Sequence, residues 1–110
     1  MRVVELSVQT KVAAMSKYSF ELPSDFSEYE WVVDAKGWCS GSRLVVAGKR
    51  YPLTFYDPVR LNQEIESKLE EGDFFFEPNL VIVKSVTRAN MERAVDELVR
   101  SGQADLLTPE

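Results

Sequence analysis

Two stretches of this chain repeat one order of hydrophobic and polar positions, thirty residues apart. In the first copy, apolar runs at 44–46 and 50–56 flank a turn at 47–49. A helix follows from Asp57 to Gly72. Asp57 suits a helix N-cap, and the proline after it suits the first helical position, where an N–H is not needed. This copy predicts a β-hairpin followed by a helix.

The second copy has the same plan with different residues. Phe74–Phe76 forms the first apolar run, 77–79 the turn and 80–86 the second run, and a helix capped by Thr87 closes at Gly102. Both helices carry apolar residues at three- and four-residue spacing, which is typical of one buried face. These residues are Leu61, Ile65 and Leu69 in the first helix, and Met91, Ala94, Val95 and Leu98 in the second.

The two copies predict an α+β fold with a doubled ββα unit, a ββαββα arrangement, over residues 43–102. We expect a mostly antiparallel sheet with both helices on one face. The run 80–86 is nearly all apolar, so we place it centrally, covered on both faces. The length of the chain indicates a single domain, 1–110, with a tail at 103–110.

Residues 1–42 show weaker patterns, and we expect their strands to extend the sheet or to cover part of its other face. Alternation of apolar and polar residues predicts strands at 4–8 and 17–22, and we place a further strand at 30–34. Residues 38–42 contain glycine and serine and are expected to be irregular.

Composition excludes several classes of chemistry. The chain has no histidine and one cysteine. Histidine-dependent nucleophiles, and zinc or iron–sulfur sites within one chain, are therefore excluded. No catalytic or cofactor motif is found, so we predict a protein that is not an enzyme, with no cofactor and no metal. The lone cysteine favours a cytoplasmic location, and no apolar run is long enough to span a membrane.

The negative charge is concentrated in one segment. Residues 57–77 carry seven acidic and two basic side chains, which accounts for the whole net charge of −5. This balance argues against nucleic-acid binding. The end of the first helix is unfavourable for carboxylates because of the helix dipole. The candidate binding residues there are Glu66, Glu70, Glu71, Asp73, Phe74, Phe75 and Phe76.

This acidic and aromatic segment predicts an interface for a basic protein, because aromatic anchors dominate binding hot spots. The alternative is a solvated helix end above a second core layer. A second candidate is an anion site at the helix N-termini, formed by Arg60, Thr87 and Arg88, although ordinary capping explains the same residues. Cys39 has no evident activating group and is expected to be packed.

Aromatic residues are concentrated in the first third of the chain, where they could line a small-molecule cleft or simply form core. They are Tyr18, Phe20, Phe26, Tyr29, Trp31 and Trp38.

The sequence therefore predicts a small acidic adaptor, regulator or inhibitor that binds a basic protein partner or a second copy of itself. In size and charge, but in no motif, the chain is similar to bacterial toxin-immunity proteins. The alternative function is small-molecule binding, or a weak carboxylate-dependent activity, in the aromatic cleft.

Overall fold

A computed structural model describes residues 17–110, so the strand expected at 4–8 lies outside the described residues. Over residues 17–110 the fold is α+β, with four strands and three α-helices. The strands are β1 (Tyr18–Glu21), β2 (Trp38–Val46), β3 (Lys49–Tyr56) and β4 (Leu80–Ile82). The helices are α1 (Phe26–Lys36), α2 (Pro58–Glu71) and α3 (Arg88–Arg100), and a 3₁₀ helix covers Gln103–Leu106.

The sheet is mixed and has the order β1-β2-β3-β4. The first three strands are antiparallel, and β4 runs parallel to β3 after the crossover through α2. The predicted hairpin between β2 and β3 is confirmed, and its turn places Ala47 and Gly48 at positive φ. The expectation of a mostly antiparallel sheet therefore holds for β1 to β3 and fails at β4.

The core lies between one face of the sheet and α3. Met91, Val95 and Val99 of α3 are fully buried. They pack with alternate residues of β2 and β3, as expected for a sheet with one covered face. The sheet residues of this core include Leu44, Val46, Tyr51, Leu53 and Phe55. Packing of its apolar stripe on the sheet fixes the position of α3.

The predicted second hairpin is wrong. Phe74–Phe76 is not a strand, and the predicted strand at 80–86 is only the three-residue β4. In addition, β4 lies at an edge of the sheet rather than at its centre. The turn before β4 does occur, with Asn79 at a φ of 56°. Without a second hairpin, the doubled ββα unit is not formed.

The expectation that both long helices share one face of the sheet is also wrong. Helix α2 buries none of its residues, so it adds nothing to the main core. Instead the Arg60 guanidinium lies 5.5 Å from the ring centroid of Trp38. Trp38 pairs with Tyr56 in the sheet. Tyr56 is buried, but it follows the core residue Phe55 directly along β3 and therefore faces the other side of the sheet. The contacts of α2 are therefore made beside the face opposite the core.

The N-terminal part differs from the expectation at two points. Residues 30–34, expected as a strand, belong to α1, which ends at Gly37 in the left-handed conformation. Residues 38–42, expected to be irregular, belong to β2, which has a bulge between Cys39 and Ser42. The predicted strand at 17–22 is confirmed as β1.

The C-terminal tail is docked along β3. The Glu110 N–H donates to the Arg50 carbonyl at 2.8 Å. The Asn79 side chain donates to the carbonyls of Pro52 and Thr108 and accepts from the Thr108 N–H, each at 2.8 Å. Leu107 packs against the core, whereas Leu106 is exposed.

Candidate functional site

The connection from α2 to β4 leaves two aromatic rings in solvent. Phe74 is 75% exposed and Phe76 is 76% exposed, while Phe75 between them is half-buried. Residues 73–77 form neither helix nor strand, and the side chains of Phe74 and Phe76 lie outside the core. We call Glu66, Glu70, Glu71, Asp73, Phe74 and Phe76 the acidic-aromatic surface.

Helix α2 delivers the acidic part of this surface by ordinary local rules. The Asp57 side chain accepts from the Arg60 N–H at 2.7 Å and caps the helix, and Pro58 occupies its first position. The helix runs to Glu71 and ends at Gly72. Glu70 and Glu71 consequently lie in its last turn, where the negative end of the helix dipole is unfavourable to a carboxylate by ~0.3–1 kcal/mol each.

One basic side chain, Lys68, lies in the last turn of α2 with two of these acids, and it forms no ion pair in the described part of the chain. All four acids of the surface are exposed, and none of them forms an ion pair between residues 17 and 110. Arg60 of α2 pairs elsewhere: it holds Glu64 at 3.0 Å, on the side of the helix that contacts Trp38. The surface therefore has a net negative charge, with four carboxylates against one lysine.

Glu77, the last acid of the segment, has a different role. Its carboxylate accepts from the Tyr56 hydroxyl at 2.8 Å. Burial, together with this hydrogen bond, raises the pKa of Tyr56 well above the ordinary value of a tyrosine. Glu77 thus fixes the end of the connection to β3, whereas the four acids of the acidic-aromatic surface make no side-chain hydrogen bond to another described residue.

Sequence reasoning missed three exposed apolar residues in the same region. Val59 and Leu69 of α2 and Ile82 of β4 are each at least half exposed. Leu69 was expected in a buried stripe, and Ile82 in a central strand.

In the part of the chain that the structure describes, the outer edge of β4 has unpaired backbone groups. The backbone bonds to β3 involve the Asn79 carbonyl and the Val83 N–H, so the polar groups of Leu80 and Ile82 point away from β3.

The proposed anion-binding residues Arg60, Thr87 and Arg88 each have partners within the protein. Arg88 lies over the Phe26 ring at 5.3 Å and pairs with Glu92 at 3.7 Å. Its backbone N–H is taken by the Glu30 carboxylate at 2.7 Å. The Thr87 hydroxyl accepts from the Asn90 N–H at 3.2 Å and caps α3. The N-terminus of α3 thus already binds a carboxylate of the protein itself, that of Glu30 in α1.

The aromatic residues of the N-terminal third are divided among three environments. Phe20 packs edge-to-face against Phe55, and the Tyr18 hydroxyl donates to Asp96 at 3.0 Å, so both serve the fold. Trp31 points outwards and is 74% exposed. The other three line a cleft of about 280 Å³ between α1 and the start of β2; they are Phe26, Tyr29 and Trp38.

Cys39 lies beside this cleft and is buried. Burial raises the pKa of its thiol, which keeps the sulfur protonated and unreactive at neutral pH. Between residues 17 and 110, no three side chains of the metal-binding types cluster to hold a metal ion.

Comparison with protein families, with curated proteins and with solved structures finds no match to this chain. Across residues 17–110, none of the helices combines the length and apolar character that crossing a bilayer requires.

Proposed function

We propose that this protein is a non-enzymatic interaction module that presents the acidic-aromatic surface to a basic protein partner. The observation that carries the proposal is the exposure of Phe74 and Phe76 directly after a run of unpaired carboxylates. Two largely exposed rings so close in sequence are unfavourable for an isolated protein, and binding a partner would remove them from water.

The two parts of the surface have separate tasks in this proposal. The rings supply most of the affinity, because aromatic side chains are enriched among the residues that dominate binding energy. The carboxylates accelerate encounter with a basic surface and reject acidic ones, and salt weakens this effect. We therefore expect association to slow as the salt concentration rises.

The edge of β4 offers the partner a third kind of contact. Leu80 and Ile82 have backbone groups directed away from β3, and the Ile82 side chain is half exposed. An extended segment of the partner could pair with this short edge and bring its basic side chains to the carboxylates. Binding of a second copy through the same edge is the competing arrangement, and the experiment below separates the two.

The test is a photo-crosslinking amino acid placed at position 76 of the full chain, with the exposed position 49 at the start of β3 as the control. Exposed to native cell extract, the chain with the label at 76 should form a defined adduct with a basic protein. A label at Lys49 should not. Adducts that contain only this chain would replace the proposal with self-association. Identical adducts from both positions would contradict it.

Charge reversal then tests the acidic part against the purified partner. Glu70→Lys with Glu71→Lys should slow association about tenfold at low salt, and the difference should shrink at high salt. Glu28→Lys with Asp105→Lys changes the net charge equally, at exposed sites outside the surface. Equal effects of the two pairs would mean that only the overall charge matters.

A further inference from the structure

The cleft beside α1 is a separate feature from the acidic-aromatic surface. One face of α1 forms its first wall through Phe26, Tyr29 and Val33, which follow one another at three- and four-residue spacing. The start of β2 forms the second wall through Trp38 and Cys39. Of these three helix residues, Phe26 is buried, Val33 is partly buried and Tyr29 is 52% exposed.

The two ends of the cleft differ in charge. Lys36 lines it at the C-terminal end of α1, and Asp25 lines it at the N-terminal end. Eleven residues of helix separate these two positions by roughly 16 Å. Within residues 17–110, the Lys36 ammonium group has no ion-pair partner. The neighbouring Arg60 is paired with Glu64, and the Asp57 carboxylate caps α2. Among the described residues, the end formed by Lys36 and Trp38 therefore has one unpaired positive charge.

This end of the cleft is held in place without a ligand. The Arg60 guanidinium lies over Trp38 and also donates to the Lys36 carbonyl at 3.3 Å. Gly37 between them adopts a φ of 71°, and its carbonyl accepts from the Asp57 N–H at 2.9 Å. The cleft wall is thus fastened to the N-terminus of α2, and this reduces the cost of ordering it on binding.

We propose that this cleft binds a small aromatic carboxylate, with its ring against Tyr29 and Trp38 and its carboxylate at Lys36. The volume of about 280 Å³ is close to the lower end for ligand pockets and suits a molecule of one ring with a short chain. The protonated Cys39 thiol is part of the apolar wall. The acid at the far end, Asp25, disfavours the reverse orientation of the ligand.

The two tryptophans of the chain make a direct test. The indole N–H signals of Trp38 and Trp31 can be followed by ¹H–¹⁵N NMR during titration with 4-phenylbutyrate and, separately, with the uncharged 4-phenylbutanol. Trp38 lines the cleft, whereas Trp31 does not and is exposed. The carboxylate should shift the Trp38 signal saturably and leave Trp31 in place, and the alcohol should bind more weakly because it cannot pair with Lys36.

Substitution of the lysine completes the test. Lys36→Gln should weaken phenylbutyrate about fivefold, as expected for loss of one exposed ion pair, and should leave the alcohol unaffected. Lys49→Gln, at an exposed site at the start of β3, is the matched control. No saturable shift of Trp38, equal binding of the alcohol, or an unchanged affinity in Lys36→Gln would each overturn the proposal.

Discussion

Helices α2 and α3 have similar N-caps but differ in how much of their surface they bury. Each has an N-cap whose side chain accepts from the N–H three residues on, and each carries an apolar stripe at helical spacing. Helix α3 buries three residues completely, whereas α2 buries none. Local sequence signals therefore establish that a segment is helical. The surrounding sheet decides whether its apolar stripe is buried in the core or exposed to solvent.

The difference has a cause in the topology. Helix α3 lies on the sheet face that carries Leu44, Leu53 and Phe55. Helix α2 belongs to the crossover between the parallel strands β3 and β4, and β4 is only three residues long. Such a short edge strand leaves little sheet for α2 to cover, so Leu69 and the rings that follow it stay in solvent.

Core truncation is the largest expected difference between the two helices. Met91→Ala in α3 should lower the free energy of unfolding by ~2–5 kcal/mol, because it leaves a cavity at a fully buried site. Leu69→Ala in α2 should lower it by less than ~1 kcal/mol, since that side chain is half exposed. Urea denaturation of both variants measures this. Equal losses would mean that α2 packs as firmly as α3.

Two glycines test the junction that fastens α2 to α1. Gly37 and Gly48 both have positive φ, so alanine at either should cost ~1–2 kcal/mol of unfolding free energy. At Gly37 a Cβ would also collide with the Asp57 carboxylate, whereas at Gly48 it would meet open space. Gly37→Ala should therefore be more destabilising than Gly48→Ala by at least ~1 kcal/mol. Equal thermal or urea unfolding would show that this junction is loose.

A smaller effect is expected from pH at Tyr56. Because its pKa is raised in the folded protein, Tyr56 stays neutral there after an unfolded tyrosine has ionised. Its contribution to stability is complete below about pH 10 and is lost as the pH rises further. Tyr56→Phe should therefore lose less stability than the native chain between about pH 9 and about pH 11. Parallel pH dependence of the two proteins would argue against a buried bond to Glu77.

Much of the fold follows from the sequence where the signals are local. The β2–β3 hairpin, both long helices and the caps Asp57 and Thr87 were predictable from turn residues, helical spacing and N-cap chemistry. Helix α1 was not, because Trp31-Val32-Val33 is typical of a strand and the helix buries only Phe26. Its boundaries did have signals: Asp25 precedes its first residue, and Gly37 closes it.

The missing second hairpin shows a different limit. Phe74–Phe76 has a strong preference for strand, but a hairpin also needs a partner strand of matching length. The predicted partner, 80–86, is reduced to the three residues of β4, which pair with β3. That pairing depends on residues distant in sequence. The acidic segment itself could be recognised from the sequence, whereas the exposure of Val59, Leu69 and Ile82 could be seen only in the three-dimensional structure.

The most direct test of the account is the affinity of the purified partner for a chain with Phe74→Ser and Phe76→Ser. We predict a loss of about thirtyfold in affinity or more, with an unfolding free energy within ~0.5 kcal/mol of the native value. Leu106→Ser, at a site that is 82% exposed and distant in sequence, should change neither quantity. Unchanged affinity in the double variant would contradict the claim that these rings form the binding surface.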